Sequence, residues 1–107
     1  MNGFQLTFFT QQDRRLHGMP LGDWLVHLAK AMGLHGATLF AGGEGIGRHH
    51  RIHSARFFEL ADQPVEVVMV VTAEESDRLF ERLVAEGVQL FYVKTPVEFG
   101  VLGETGQ

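Results

Sequence analysis

Hydrophobic spacing along this chain switches repeatedly between a period of two and a period near 3.6, and the order of those switches leaves few folds open. Phe4, Leu6 and Phe8 alternate with Gln5, Thr7 and Phe9, the pattern of a strand with one buried face. Leu21, Trp24, Leu25, Leu28, Ala29 and Met32 then recur at steps of three and four, with Asp23, His27 and Lys30 on the opposite side, which predicts a helix. Pro20 suits its first turn and Gly33 the left-handed residue past its end. Residues 37–41 return to strand character. Residues 65–71 are nearly all apolar and read as a central strand covered on both faces for most of its length, with Glu66 obliged to reach a rim or a partner. Thr72 and Glu75 have the spacing of a capping box and open a second helix. Its apolar stripe is Leu79, Phe80, Leu83 and Val84, and Gly87 closes it. Residues 88–93 make a last strand. Pro96 predicts a break, with residues 97–102 as a short extra strand beyond it and a frayed end after that.

Strand, helix, strand, strand, helix, strand is the split βαβ order of an α+β, ferredoxin-like βαββαβ sandwich, one sheet backed by two helices. Its outer face would carry Thr7, Phe9, Thr38 and Phe40, too apolar for water, so contact with another subunit is expected. At 107 residues the chain reads as a single domain, 1–107. The absence of cysteine excludes disulfides, thiolate nucleophiles and Cys-based zinc sites and suits a reducing cytoplasm. No basic patch followed by an apolar run marks a leader, and the longest apolar stretch falls far short of the ~20 residues that span a bilayer.

The second and third strands of such a fold are ordinarily joined by a tight hairpin, yet residues 42–64 intervene here. Connections beyond about 12–15 residues in a compact domain tend to be functional or disordered. This one begins GGEGIGRHHRIH, residues 42–53, within a chain of formal net charge -4. Glycines let backbone N–H groups converge on an anion, and Arg48, Arg51 and Arg56 add fixed positive charge to a stretch, residues 45–55, that has no acid. A phosphate site is one reading, and a flexible hinge leading into a solvated basic arm is the other. Gly42 and Gly47 have the spacing of a Walker A loop, but Arg48 and His49 stand where Lys and Ser or Thr are needed. His49, His50 and His53 offer a metal reading. On an extended arm, however, His50 faces away from the other two, and no Asp or Cys is nearby to complete a tetrahedron. Ser54 follows His53 directly, and neighbours on a strand point apart, so no catalytic group is expected and the chain reads as non-enzymatic. One basic arm on an acidic chain makes too small an electrostatic footprint for nucleic acid.

The motif GATLFAG at 36–42, Gly45 and Gly47 with the basic run ending at His53, then Phe57 and Phe58, and Pro64 leading into the valine-rich strand together resemble the PII-like family of domain of unknown function 190. The resemblance runs from Phe4 through Lys94. It implies homotrimers of ferredoxin-like subunits, with a T-loop between strands two and three and adenine nucleotide sites in the clefts between subunits. Residues 42–64 would be the T-loop counterpart, and Gly42, Gly45, Gly47, Arg48, His49 and Arg51 would lie at the nucleotide. The tyrosine-bearing segment of PII T-loops is absent, and TAEE at 72–75 is acidic where PII proteins carry a glycine- and lysine-rich phosphate loop. The implied ligand is therefore AMP or ADP, with no metal required. The resemblance also implies a protein target, such as a membrane transporter or channel. The alternatives are a metal-binding trimer like the copper-tolerance proteins, using His49, His50 and His53, and a ligand-free interaction module.

Overall fold

The computed structural model of the chain describes residues 1–41 and 64–103. Strand β1 (Asn2–Gln11) alternates as its sequence dictates: Leu6, Phe8 and Thr10 are buried, while Thr7 and Phe9 are half-buried on the other side. A short hairpin follows, β2 (Arg15–Leu16) against β3 (Met19–Pro20). His17 and Gly18 turn it, both at positive φ (50° and 82°), which matches a two-residue turn to the right-handed twist of its strands.

Helix α1 (Leu21–Ala31) buries Leu21, Trp24, Leu25, Leu28 and Ala29 as its spacing predicts, and Gly33 at φ 73° ends it. Strand β4 (Ala37–Ala41) leads up to residue 42, and β5 (Pro64–Thr72) resumes the sheet. Helix α2 (Ala73–Ala85) begins on the expected capping box: the Thr72 hydroxyl accepts from the Glu75 N–H at 3.1 Å, and the Glu75 carboxylate accepts from the Thr72 N–H at 2.9 Å. Two donors of the first turn that lack intrahelical partners are thereby satisfied. Strand β6 (Phe91–Glu98) completes the sheet.

The order across the sheet is β4-β5-β1-β6, with every neighbouring pair antiparallel. This α+β arrangement of one antiparallel sheet and two helices is consistent with the ferredoxin-like plan. Leu6, Phe8, Val65, Val67, Met69 and Val71 of the sheet form one core with the buried residues of α1 and with Leu79 and Leu83 of α2. Both helices therefore lie on the same side. Each fully buried aliphatic or aromatic side chain contributes about 1.5–3 kcal/mol from leaving water.

Three expectations need correction. Strand β5 is buried on one face only: Val65, Val67, Met69 and Val71 are inside, whereas Glu66, Val68 and Val70 are half-buried. The last strand starts at Phe91 rather than 88, because Val88 and Leu90 pack against the core from the connection. It also runs straight through Pro96, opposite Phe4. Proline is tolerated there because β6 is an edge strand and its missing N–H faces away from β1. Beyond Glu98 there is no extra strand in the described residues; instead Phe99 N–H donates to the Met1 carbonyl at 2.8 Å and the Met1 ammonium to the Phe99 carbonyl at 3.0 Å, fastening the two ends together. On the helix side of β6, Lys94 Nζ lies 4.3 Å from the centre of the Phe4 ring and 5.5 Å from that of Phe80. A cation thus caps an aromatic cluster that includes Tyr92, whose ring meets Phe80 edge-on at 4.8 Å.

Candidate functional site

Every residue assigned to the nucleotide, namely Gly42, Gly45, Gly47, Arg48, His49 and Arg51, lies outside the described residues, as do His50, His53, Arg56, Phe57 and Phe58. What the fold does describe is where that segment is anchored. Ala41 pairs with Val65 at the end of the β4–β5 ladder, and Pro64 stands opposite Gln11. The segment therefore leaves the sheet and rejoins it at a single corner. A cleft of about 180 Å³ opens at that corner, with Leu39, Ala41 and Val65 as its apolar wall and Gln11, Gln12 and Asp23 as its polar side. A second cleft, of about 430 Å³, lies at the opposite end of the sheet against Gly3, Phe4, Ala73 and Pro96.

The face of the sheet away from the helices carries the residues that strand alternation placed there. One row reads Phe40, Glu66, Phe9, Phe91 across the four strands, and the next reads Thr38, Val68, Thr7, Val93. Phe40 is 53 %, Phe91 48 % and Val93 44 % exposed, so large apolar side chains stand in water together rather than singly. Phe9 and Phe91 stack obliquely, ring centres 5.6 Å apart.

The family model for domain of unknown function 190 (DUF190), described as Uncharacterized ACR, matches residues 3–93. The match takes in β1 from Gly3 onward, β4, β5, the start of β6 as far as Val93, both helices and the complete segment between β4 and β5. The chain belongs to the DUF190 family. A UPF0166 protein of Aquifex aeolicus (strain VF5) is 33% identical to this DUF190 chain over 75 residues, which cover 70% of the chain and 71% of that relative.

Among the described residues of this DUF190 chain, no three His, Asp or Glu side chains come together in a way that could hold a metal ion. No helix among them is long and apolar enough to cross a membrane. His17, His27 and His35 are exposed, but His17 has a role that spacing did not reveal. Its Nε2–H donates to Glu86 Oε1 at 2.8 Å, and Arg82 Nε and Nη2 both lie 3.1 Å from Glu86 Oε2. Arg14 adds a second tie nearby, Nη1 to the Gln89 carbonyl at 2.7 Å. The β2–β3 hairpin is thus clipped onto the end of α2 and the connection after it. The only sequence signal for this was His-Gly between Leu16 and Met19.

The hydrogen bond from His17 is the main reason that the Glu86 carboxyl is held below its ordinary range; Arg82 helps and desolvation opposes. A carboxyl with a lowered value in the folded state is deprotonated there before it is in the unfolded chain. Its contribution to stability is complete above the ordinary carboxylate range and disappears as pH falls through the lowered value. Glu86→Gln is accordingly expected to lower the thermal midpoint slightly at about pH 7, as exposed pairs do, and by a smaller amount at about pH 3. Melting curves followed by circular dichroism at the two pH values check this; a gap that persists undiminished in acid would assign the effect to packing.

Proposed function

We propose that this DUF190 chain is a non-enzymatic, PII-like regulatory protein of the cytoplasm. In this reading it assembles as a homotrimer and binds AMP or ADP in clefts between subunits. Gly42, Gly45, Gly47, Arg48, His49 and Arg51 hold the nucleotide, and residues 42–64 then act on a protein target such as a membrane transporter or channel. One observation carries the reading: the strand order fastens both ends of the glycine- and arginine-rich segment to one corner of a sheet whose outer face is apolar and exposed. Copies that cover that face bring such corners close to one another, and a ligand held between them would register assembly and occupancy together.

The chemistry is sufficient. A charge-assisted hydrogen bond to phosphate contributes about 1.5–3 kcal/mol, and micromolar affinity corresponds to about −8.2 kcal/mol. Two or three such bonds, with the base also held, reach that range. Isothermal calorimetry with AMP, ADP and ATP, paired with native mass spectrometry, tests the proposal. The expected result is a mass of three chains with up to three nucleotides and heat with AMP or ADP. No heat at millimolar ligand would end the sensing role, and a monomeric mass would end the trimer. Arg48→Ala is expected to weaken nucleotide binding by about tenfold or more, the loss of one such bond; unchanged affinity would remove Arg48 from the site.

A further inference from the structure

We propose that the corner cleft beside Ala41 takes the sugar of the nucleotide, with the Asp23 carboxylate accepting hydrogen bonds from its hydroxyls. The inference rests on the reading above that residues 42–51 hold the phosphate, and it names the part of the ligand that those residues leave unread. Their glycine N–H groups, guanidinium groups and imidazole suit an anion, not a neutral polyol.

Gly22 lies in the first turn of α1, and a Cβ there would stand 2.9 Å from Val65 Cγ1 and 3.1 Å from Leu39 Cδ1. Without that Cβ the turn settles directly onto the ends of β4 and β5. The next residue, Asp23, therefore borders the cleft whose apolar wall is Leu39, Ala41 and Val65. Gln11 and Gln12, at and just past the end of β1, border it as well. The side chains of Asp23, Gln11 and Gln12 make no hydrogen bond or ion pair among the described residues, so their polar groups are open to a ligand. Ala41 is followed directly by Gly42. A nucleotide's sugar is joined to its phosphate through one methylene and one oxygen, so a phosphate held at the start of the segment has its sugar within reach of this cleft.

Size and chemistry then select the sugar. At about 180 Å³ the cleft is smaller than the ~300–1,000 Å³ of pockets that enclose a drug-sized ligand, so it admits one ring and not a whole nucleotide. A phosphate would meet the Asp23 carboxylate, with no Lys, Arg or His among the described residues bordering the cleft to offset the repulsion. Adenine sets one amino donor among several acceptor nitrogens, a poor match for a group that only accepts. A ribose presents two neighbouring hydroxyls, each able to donate to one carboxylate oxygen, while the glutamine amides both donate and accept around the same ring.

Calorimetry of the full chain with AMP, 2′-deoxy-AMP and inosine monophosphate tests this in the parent, Asp23→Ala and Asp13→Ala. Asp13 is exposed and does not border the cleft, and its substitution makes the same change in net charge. The parent is expected to bind AMP about tenfold or more tighter than 2′-deoxy-AMP, the loss of one charge-assisted hydrogen bond. Asp23→Ala should bring that ratio close to one, and Asp13→Ala should keep it. A loosened fold would weaken both ligands alike and leave the ratio in place, which separates sugar contact from a structural effect. Equal affinity of the parent for AMP and 2′-deoxy-AMP, a ratio that survives Asp23→Ala or is lost equally in Asp13→Ala, or uniform loss of all three ligands in Asp23→Ala overturns the inference and leaves the nucleotide reading standing. So does Asp23→Ala erasing a preference for AMP over inosine monophosphate instead, which would put the base in the cleft. No heat with any of the three ligands overturns both.

Discussion

Phe8→Ala is expected to cost about 3–5 kcal/mol of folding stability, the range for emptying a buried phenylalanine site. Phe8 is 1 % exposed, pairs in register with Val67 and Tyr92, and has its ring centre 5.9 Å from that of Phe80. It therefore sits where both central strands and α2 meet, and none of them can close over the space without breaking a ladder. Domains of this kind hold only about 5–15 kcal/mol in total, so a loss of this size removes a large share, and the thermal midpoint should fall by roughly 15–25 °C. Urea denaturation at a fixed chain concentration measures it. Phe9→Ala, one residue along on the open face, should cost less in the dilute chain, and its cost should grow with concentration if copies cover that face. Equal losses from both variants at high dilution would contradict the one-sided burial of β1.

Gly3→Ala should be similarly damaging for the opposite reason. A Cβ on Gly3 would run into the carbonyl oxygen of Val71 on β5 and would lie 2.9 Å from a Phe99 ring carbon. The oxygen belongs to backbone held in the central ladder, so relief requires β1 and β5 to separate locally. Overpacking of this kind costs about 1–3 kcal/mol and sometimes more, and the rigid partner places it at the upper end. Gly36→Ala is the matched comparison, since a Cβ there meets nothing within 4 Å; it should be neutral, or stabilising by about 0.4–1 kcal/mol through the unfolded chain. Parallel melts of the two variants check the claim, which fails if they behave alike.

Both helices and the strand order were legible because each has enough residues to show its period and a chemical marker at its ends. Thr72 with Glu75 at one start and Gly33 and Gly87 at the two stops are examples. The β2–β3 hairpin was not legible, since two-residue strands are too short to alternate and its hold on the domain comes from His17 and Arg14 reaching residues 69 and 75 positions away. Pro96 misled because proline marks a break only where its N–H is needed, and a residue's place at a sheet edge is a property of topology. The second face of β5 misled for a related reason: a run of valines permits cover on both sides but does not require it, and only the face towards the helices is buried. Glu66 was the one residue in that run that signalled the difference. The candidate site was legible as chemistry, glycines followed by arginines and histidines, and the fold adds the corner at which that chemistry is attached.

Pro96 has a consequence for what this chain avoids becoming. Along the outer border of β6, the position of Pro96 offers no amide hydrogen to a strand arriving from outside, so a newcomer would leave one of its carbonyls stranded at mid-length. Growth by adding ribbon to ribbon along that border is penalised, and crowded chains are steered away from fibrils.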